Sequence, residues 1–215
     1  MSSRDYRHDA WYALSGRWGF FIGVCLLYAL VTSILSSIPG VGPILTLVIS
    51  GPLAVGLVGI SIKIIRNEST KINDLLDGFN CFGEAFLLQL LNGLFVFLWS
   101  LLLLIPGIVK AYAYSMSTYI LADNPNISQK QARQKSEQLM IGHKFDLFVL
   151  DFSFIGWYLL GILTLGILFI WVIPYQYAAR ASFYNDLVTN SETGNYNINK
   201  QDYNQYNSDN QYFRQ

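Results

Sequence analysis

Two long stretches without a charged side chain constrain the fold of this chain more than any other feature. No Asp, Glu, Lys or Arg occurs from Trp18 to Ile62, and none occurs from Ala85 to Val109. Charged residues make up 13% of the 215 residues, about half of the share in an ordinary soluble domain. Apolar stretches of this length are typical of helices that lie in lipid. The sequence therefore predicts an all-α membrane protein.

The lengths of the apolar segments predict how many helices cross the membrane. A helix rises about 1.5 Å per residue, so roughly 20 apolar residues cross a hydrocarbon core about 30 Å thick. Five segments meet or approach this length: Trp18–Ile38, Ile44–Ile65, Ala85–Ile105, Leu147–Leu165 and Ile167–Phe183. A sixth segment, Ile108–Ala122, is short and contains one lysine and three tyrosines. Together they predict a polytopic bundle of six transmembrane helices, arranged as three hairpins.

The basic residues predict that the sixth segment also crosses. With a cytosolic N-terminus and six spans, every Lys and Arg except Lys110 falls on the cytosolic side, as the positive-inside rule requires. Without a crossing at Ile108–Ala122, four basic residues would lie outside: Lys130, Arg133, Lys135 and Lys144. We therefore expect a cell-membrane protein with both termini in the cytosol.

Composition divides the chain into three parts. Residues 1–17 are predicted to be a cytosolic segment, residues 18–188 the transmembrane domain, and residues 189–215 a cytosolic tail rich in Asn, Gln and Tyr. The tail has almost no aliphatic side chains and cannot bury enough apolar surface to fold, so it is predicted to be disordered. The three hairpins have similar lengths and Gly-containing turns, which indicates either an internal repeat or generic hairpin chemistry.

Two connectors between the hairpins have helical patterns. Lys71–Phe79 is amphipathic. The other connector begins at Ser128, with Gln131 three residues later, which is a capping-box pattern. Both are expected either at the lipid–water interface or packed on the cytosolic floor of the bundle.

One ion pair is predicted inside the membrane. Asp151 and Arg180 lie nearly the same number of residues from the turn near Leu165 and Gly166, so an antiparallel hairpin places them at matched depth. Pairing would reduce the cost of two charges in lipid. The pair is interpreted either as a clamp on hairpin register or as a functional group, such as a gated ion pair or an anion site that uses Arg180. Alternatively, Arg180 extends to the cytosolic headgroups.

A polar stripe is predicted on the fourth helix. Lys110, Tyr114 and Ser117 share one face, with Thr118 at its margin. Lys110 is expected near the outer surface, where it either reaches the outer headgroups or lines a water-filled cavity with Tyr114.

The remaining polar groups predict no chemistry. His143, Lys144 and Asp146 are expected at the cytosolic interface, and their spacing is not a catalytic signature. No catalytic residues, metal site or cofactor are predicted, and Cys25 and Cys81 are not expected to pair. Zero net charge gives no reason to expect nucleic acid as a partner.

The chain resembles the integral membrane family known as domain of unknown function 975, which is common in Gram-positive bacteria. The stretches that carry the resemblance are GPLAVGL, LLLIPGIVKAYAYSM, YILADNP, MIGHK, FIGWYLLGILTLGI and IPYQYAARASFY. They extend from the second predicted helix through Tyr184, and the tail lies outside them. The resemblance implies a polytopic membrane protein and no known biochemical activity.

Three functions are compatible with these features. The first is a non-enzymatic accessory, scaffold or regulatory protein of the cell envelope, with the lipid bilayer and either another membrane protein or a second copy as partners. The second is a small transporter or permeation pathway along the polar stripe. The third is a lipid-acting enzyme that uses His143, Asp146 and Asp151.

Overall fold

The structure is a computed structural model that describes residues 3–102 and 104–212; the side chains of residues 102–105 and 192–212 lie outside the description. The described residues form ten α-helices and one 3₁₀ segment. The helices are α1 (Ser3–Leu14), α2 (Trp18–Ser36), α3 (Gly42–Ile65), α4 (Phe82–Leu102), α5 (Leu104–Tyr114), α6 (Ser117–Asp123), α7 (Gln129–Leu139), α8 (Lys144–Phe152), α9 (Ile155–Leu163) and α10 (Phe169–Tyr212), with the 3₁₀ segment at Ile72–Cys81.

Four of the described helical segments are long and apolar enough to cross a membrane: Trp18–Ser36, Gly42–Ile65, Ile72–Leu101 and Lys144–Leu163. They overlap the predicted segments Trp18–Ile38, Ile44–Ile65, Ala85–Ile105 and Leu147–Leu165. The predicted segments Ile108–Ala122 and Ile167–Phe183 are not among them. The all-α membrane class is thus supported, whereas six crossings and the orientation of the termini stay predictions.

The predicted fourth helix is broken into α5 and α6 at Ser115 and Met116. Ser115 donates its hydroxyl hydrogen bond to the Tyr112 carbonyl, and Ser117 donates to the Tyr114 carbonyl. Serine side chains that bond to the preceding turn compete with the helical ladder and bend helices. Ser153 makes the same bond to Leu150, where α8 gives way to α9.

The antiparallel hairpins are nevertheless present. In the second hairpin, Phe95 of α4 lies beside Tyr114 of α5, with ring centroids 6.4 Å apart. In the third hairpin, Tyr158 of α9 lies beside Phe169 of α10, with ring centroids 5.9 Å apart. A tight turn at residues 37–41 joins α2 to α3. These contacts bring the two legs of the second and third hairpins side by side.

The core lies around the second half of α3. This half is lined by buried aliphatic side chains: Leu53, Val55, Leu57, Val58, Ile60, Ile62 and Ile64. Helices α1, α2, α4, α6 and α10 and the 3₁₀ segment all contact α3. The far ends of the hairpins differ, because large apolar side chains there are exposed, as Leu30, Ile44, Leu163 and Leu165 illustrate.

Two glycines bring the 3₁₀ segment into backbone contact with α3. A Cβ atom on Gly56 would lie 2.7 Å from the carbonyl carbon of Leu75, and one on Gly78 would lie 2.9 Å from the carbonyl carbon of Pro52. No other residue type leaves room for so close an approach. The first predicted connector is thus packed against the bundle, with Leu75 buried and Ile72 and Leu76 exposed.

Helix α1 packs against α10 at the same end of the molecule as this core. The Tyr6 hydroxyl donates to Asp186 at 2.8 Å, and the Tyr175 hydroxyl donates to the Arg7 carbonyl at 3.0 Å. Burial and the neighbouring Asp186 carboxylate raise the pKa of Tyr6 above its ordinary value. These contacts hold α1, which lies within the predicted N-terminal segment, against α10.

The backbone of α10 continues as a helix to Tyr212, through the segment predicted to be disordered from residue 189. Asn-rich helices without a buried apolar face are marginal in water. The side chains after Ser191 lie outside the described residues, so disorder of the tail in solution stays a prediction.

Candidate functional site

The structure brings Asp151 and Arg180 together across the third hairpin. Nη2 and Nε of Arg180 lie 2.7 Å and 2.9 Å from the two carboxylate oxygens of Asp151, so the pair is bidentate. The Asp151 side chain is 14% exposed and that of Arg180 is 35% exposed. The equal spacing of Asp151 and Arg180 from the turn predicts this contact. That the pair lies within the membrane stays a prediction.

Two further side chains extend this pair into a network. Gln176 donates from Nε2 to Asp151 at 3.3 Å, and its Oε1 accepts a hydrogen bond from the Tyr158 hydroxyl. Beside this network, the Phe154 ring packs against the Tyr175 ring. Because Gln176 lies one helical turn before Arg180, both reach the same carboxylate from one face of α10. The network fixes the register of α8 and α9 against α10.

The polar stripe of the fourth predicted helix faces α4 and α7. Ser117 is buried and accepts a hydrogen bond from Asn92 Nδ2 at 2.8 Å. The Lys110 ammonium lies 5.6 Å from the centre of the Tyr114 ring. Thr118 is half-buried. Lys110 thus lies beside Tyr114, and Ser117 and Tyr114 contact other helices. A single face shared by all three residues stays a prediction.

The expected position of Lys110 near the outer surface and the expected cytosolic position of α7 are incompatible with each other. Lys110 Nζ lies 2.7 Å from Glu137 Oε1, and Glu137 belongs to the connector between the second and third hairpins. Two atoms this close share one depth, so Lys110 cannot lie at the outer headgroups while Glu137 lies in the cytosol. Helix α7 contacts both α4 and α5, and this packing brings Glu137 to Lys110.

Helix α7 begins as the sequence predicts, with Ser128 and Gln131 forming the capping box. Its Ser136 hydroxyl donates to the Ala113 carbonyl of α5 at 2.7 Å. The Arg133 guanidinium lies 4.8 Å from the centre of the Phe95 ring, a favourable cation–π geometry. The hydrogen bond from Lys110 lowers the pKa of Glu137 below its ordinary value.

Sequence reasoning missed Glu137, although a signal was present. Lys110 is a lone cation in a weakly charged segment and needs a carboxylate partner. Glu137 is the single acidic residue between Asp123 and Asp146. Asp123 and Glu84 lie nearer to Lys110 in the sequence, so this signal by itself does not select Glu137.

The predicted cytosolic-interface residues are brought together only in part. His143 Nδ1 lies 3.1 Å from Asp146 Oδ2, and both side chains are about half exposed. Lys144 begins α8, directly after His143. Asp151 instead faces Arg180. The three groups named for an enzymatic role therefore do not converge. Across the described ranges, no three His, Cys, Asp or Glu side chains cluster as metal ligands.

A second ion pair, also not anticipated, joins α3 to α6. Arg66 lies 2.5 Å and 3.0 Å from the two carboxylate oxygens of Asp123. The same carboxylate accepts from the Tyr184 hydroxyl at 3.1 Å, and Arg66 Nε donates to Asn185 at 3.1 Å. This network ties α3, α6 and α10 together at one end of the bundle.

A cavity of about 710 Å³ lies between α2 and the third hairpin. Its walls include Leu26 and Ile173, and Arg180 lines it together with Gln176 and Tyr177. The sequence offers no periodic pattern that predicts this space, because it forms between hairpins rather than within one.

Comparisons place these features in a family. No curated protein and no solved structure matches the chain. The family model described as protein of unknown function (DUF975) matches residues 1–111 and 101–191. The matched ranges include the paired residues Asp151 and Arg180 as well as Lys110 and Glu137. The chain is therefore a member of the DUF975 family, as the resemblance of its sequence motifs implies.

Proposed function

We propose that the protein is a non-enzymatic scaffold of the cell membrane, which presents helix α7 to a protein partner on the cytosolic side. The observation that carries this proposal is the ion pair between Lys110 and Glu137. It ties a hydrophilic helix to the membrane-embedded second hairpin, and so defines a surface that is anchored yet exposed.

The depth of the second hairpin follows from this pair. Helix α7 exposes polar side chains, among them Lys130, Gln134 and Lys135, which need water or headgroups around them. Lys110 must then lie at the same level. From Lys110 to the start of α5 at Leu104 the helix rises only about 9 Å, far short of a core about 30 Å thick.

The second hairpin therefore anchors the protein in the inner leaflet without crossing it. The side chains around its tip suit this role because they are large, apolar and exposed: Phe97, Leu98, Trp99, Leu101, Ile108 and Val109. The first and third hairpins cross the bilayer, which keeps both termini in the cytosol. Four helices cross in this arrangement: α2, α3, the pair α8 and α9 together, and the first part of α10.

The contacts of the polar stripe favour a scaffold over a permeation pathway. Ser117 is engaged by Asn92, and Tyr114 packs against Phe95 and below the Arg133 guanidinium. The side chains that would line a water-filled route are thus used in protein contacts. Separation of His143 and Asp146 from Asp151 likewise gives no support to an enzyme.

Photo-crosslinking in intact cells tests the scaffold proposal. A photoreactive amino acid at Lys135, on the exposed side of α7, is expected to give a discrete crosslinked protein band. The same amino acid at Leu163, an 80% exposed apolar side chain of α9, is expected to react with lipid and serves as the control. No band from Lys135, or equal bands from both positions, contradicts the proposal.

Solute flux tests the competing pathway. Purified protein is reconstituted in liposomes that contain a pH-sensitive dye, and proton entry is followed after a pH jump. We expect the liposomes that contain the protein to have the same proton permeability as protein-free liposomes. Entry that requires the protein and that changes in a Ser117→Ala variant would replace the scaffold with a permeation pathway.

A further inference from the structure

The cavity between α2 and the third hairpin has the shape of a lipid site. Its volume of about 710 Å³ falls within the range of pockets that bind small molecules, roughly 300–1,000 Å³. Its apolar wall is formed by Leu26 and Ala29 of α2 and by Ile170 and Ile173 of α10. Leu26 and Ile173 are 49% and 41% exposed. The cavity therefore has an exposed apolar edge, through which a lipid can enter.

The polar groups are concentrated toward one end. Gln176, Tyr177 and Arg180 line the cavity from adjacent turns of α10, and Tyr158 lines it from α9. Phe169 and Ile170 line the opposite end. From Phe169 to Arg180 the helix rises about 16 Å, which is close to half of a hydrocarbon core about 30 Å thick. One acyl chain of a single leaflet fits this length.

The charge of the polar end excludes most membrane lipids as good ligands. Arg180 is the single ionised side chain among the lining residues of the described part, and Asp151 already neutralises it through two hydrogen bonds. A phosphate headgroup would compete with Asp151 for the guanidinium and leave a surplus of negative charge at a half-buried site. An uncharged head avoids this cost.

The same groups suit hydroxyl and ester oxygens. A guanidinium carries five N–H donors, more than the Asp151 carboxylate uses. The hydroxyls of Tyr158 and Tyr177 can both donate and accept. Asp151 and Tyr158 hold Gln176 in position, so the polar end of the cavity is ordered before a ligand binds. A glycerol head offers one hydroxyl and two ester carbonyls to this set.

We propose that the cavity binds one molecule of diacylglycerol, with its glycerol head at Arg180, Gln176 and Tyr177 and one acyl chain along α2 and α10. The lipid enters from the bilayer between α2 and the third hairpin. The site lies away from α7, so it does not depend on the scaffold role of that helix.

Photolabelling of the full-length protein tests this site. The protein is reconstituted in nanodiscs of phosphatidylcholine with a small fraction of diacylglycerol that carries a diazirine in one acyl chain. We expect labelled peptides from α2 and α10, and competition by unlabelled dioleoylglycerol but not by phosphatidylglycerol. Equal competition by phosphatidylglycerol would overturn the uncharged head. Labelling that neither lipid reduces would identify ordinary boundary lipid and overturn the site.

Three variants locate the binding. Ala29→Phe fills the mouth of the cavity and is expected to reduce labelling about tenfold, whereas Leu30→Phe, on the neighbouring exposed position outside the lining, is the matched control. Tyr177→Phe removes one hydroxyl and is expected to weaken dioleoylglycerol competition roughly threefold. Unchanged labelling in a folded Ala29→Phe protein would show that the lipid binds elsewhere.

Discussion

The second and third hairpins each pair one cation with one carboxylate, but the partners come from different places. In the third hairpin, Arg180 and Asp151 face each other across the two legs, and the Asp151 side chain is 14% exposed. In the second, Lys110 reaches outside the hairpin to Glu137 of α7, which is 39% exposed. The first pair fixes the register of one hairpin, whereas the second fixes the position of a separate helix.

This difference has a consequence for depth. A pair within a hairpin is compatible with any depth, because both legs move together. A pair between a hairpin and a hydrophilic helix couples the hairpin to water. The second hairpin is therefore expected to end within the bilayer, whereas the third reaches the far side.

Thiol labelling gives the largest expected contrast between the two hairpins. In a background in which Cys25 and Cys81 are replaced by Ala, single cysteines are introduced by Ile108→Cys and Leu165→Cys. Both positions are exposed in the protein, at 47% and 95%. A membrane-impermeant maleimide applied to intact cells is expected to label Leu165→Cys and not Ile108→Cys. Labelling of Ile108→Cys from outside would restore the six-span topology.

Loss of one partner from the pair in the third hairpin is expected to have the next largest effect. Asp151→Leu leaves Arg180 without its carboxylate and is expected to cost about 2–3 kcal/mol, less than the roughly 3–5 kcal/mol of a fully buried pair because Arg180 is partly exposed. Thermal unfolding in detergent, followed by circular dichroism, measures this loss.

The double variant Asp151→Leu with Arg180→Leu is the control for that experiment. It removes both charges and is expected to regain most of the stability, since well-packed apolar side chains can replace an ion pair. A double variant less stable than Asp151→Leu alone would mean that Arg180 stabilises the hairpin by contacts other than this pair.

The pair in the second hairpin is expected to contribute less. Glu137→Gln keeps the shape of the side chain and removes its charge, at a cost of about 0.5–1 kcal/mol, because both side chains are a third or more exposed. Asp151→Asn is the matched change in the third hairpin, and its cost is expected to be larger. An equal cost for both substitutions would show that the difference in burial between the two pairs does not affect stability.

The smallest expected effect is on pH dependence. The pKa of Glu137 is lowered in the folded protein, chiefly by the hydrogen bond from Lys110. Its contribution to stability is therefore complete above the ordinary glutamate pKa of about 4.3 and is lost as the pH falls through the lowered value. The difference in unfolding temperature between the natural protein and Glu137→Gln should shrink below that range. A constant difference down to lower pH would contradict the assignment.

The sequence predicted the features that follow from regular geometry. The order of the hairpins follows from apolar length, and the contact of Asp151 with Arg180 follows from equal spacing about one turn. The capping box at Ser128 and Gln131 follows from a local pattern.

The features that it missed depend on how separate elements pack. The helix breaks at Ser115 and Ser153 are small departures from an otherwise helical pattern. The contact of Lys110 with Glu137 joins residues from two separate helices. The distribution of basic residues instead predicted that the connector containing Glu137 lies on the cytosolic side, away from Lys110. The cavity beside Arg180 exists only because two hairpins leave space between them.

The central position of α3 also has a consequence for synthesis of the chain. The second half of α3 is enclosed mainly by elements that follow it in the sequence: the 3₁₀ segment, α4, α6 and α10. When α3 first enters the membrane, most of these neighbours have not been translated, and domains assemble in the order in which they emerge. Lipid or an insertion factor must cover the apolar helix during that interval. Substitutions such as Gly56→Ala, which prevent the 3₁₀ segment from docking, are therefore expected to lower the amount of protein that survives biogenesis.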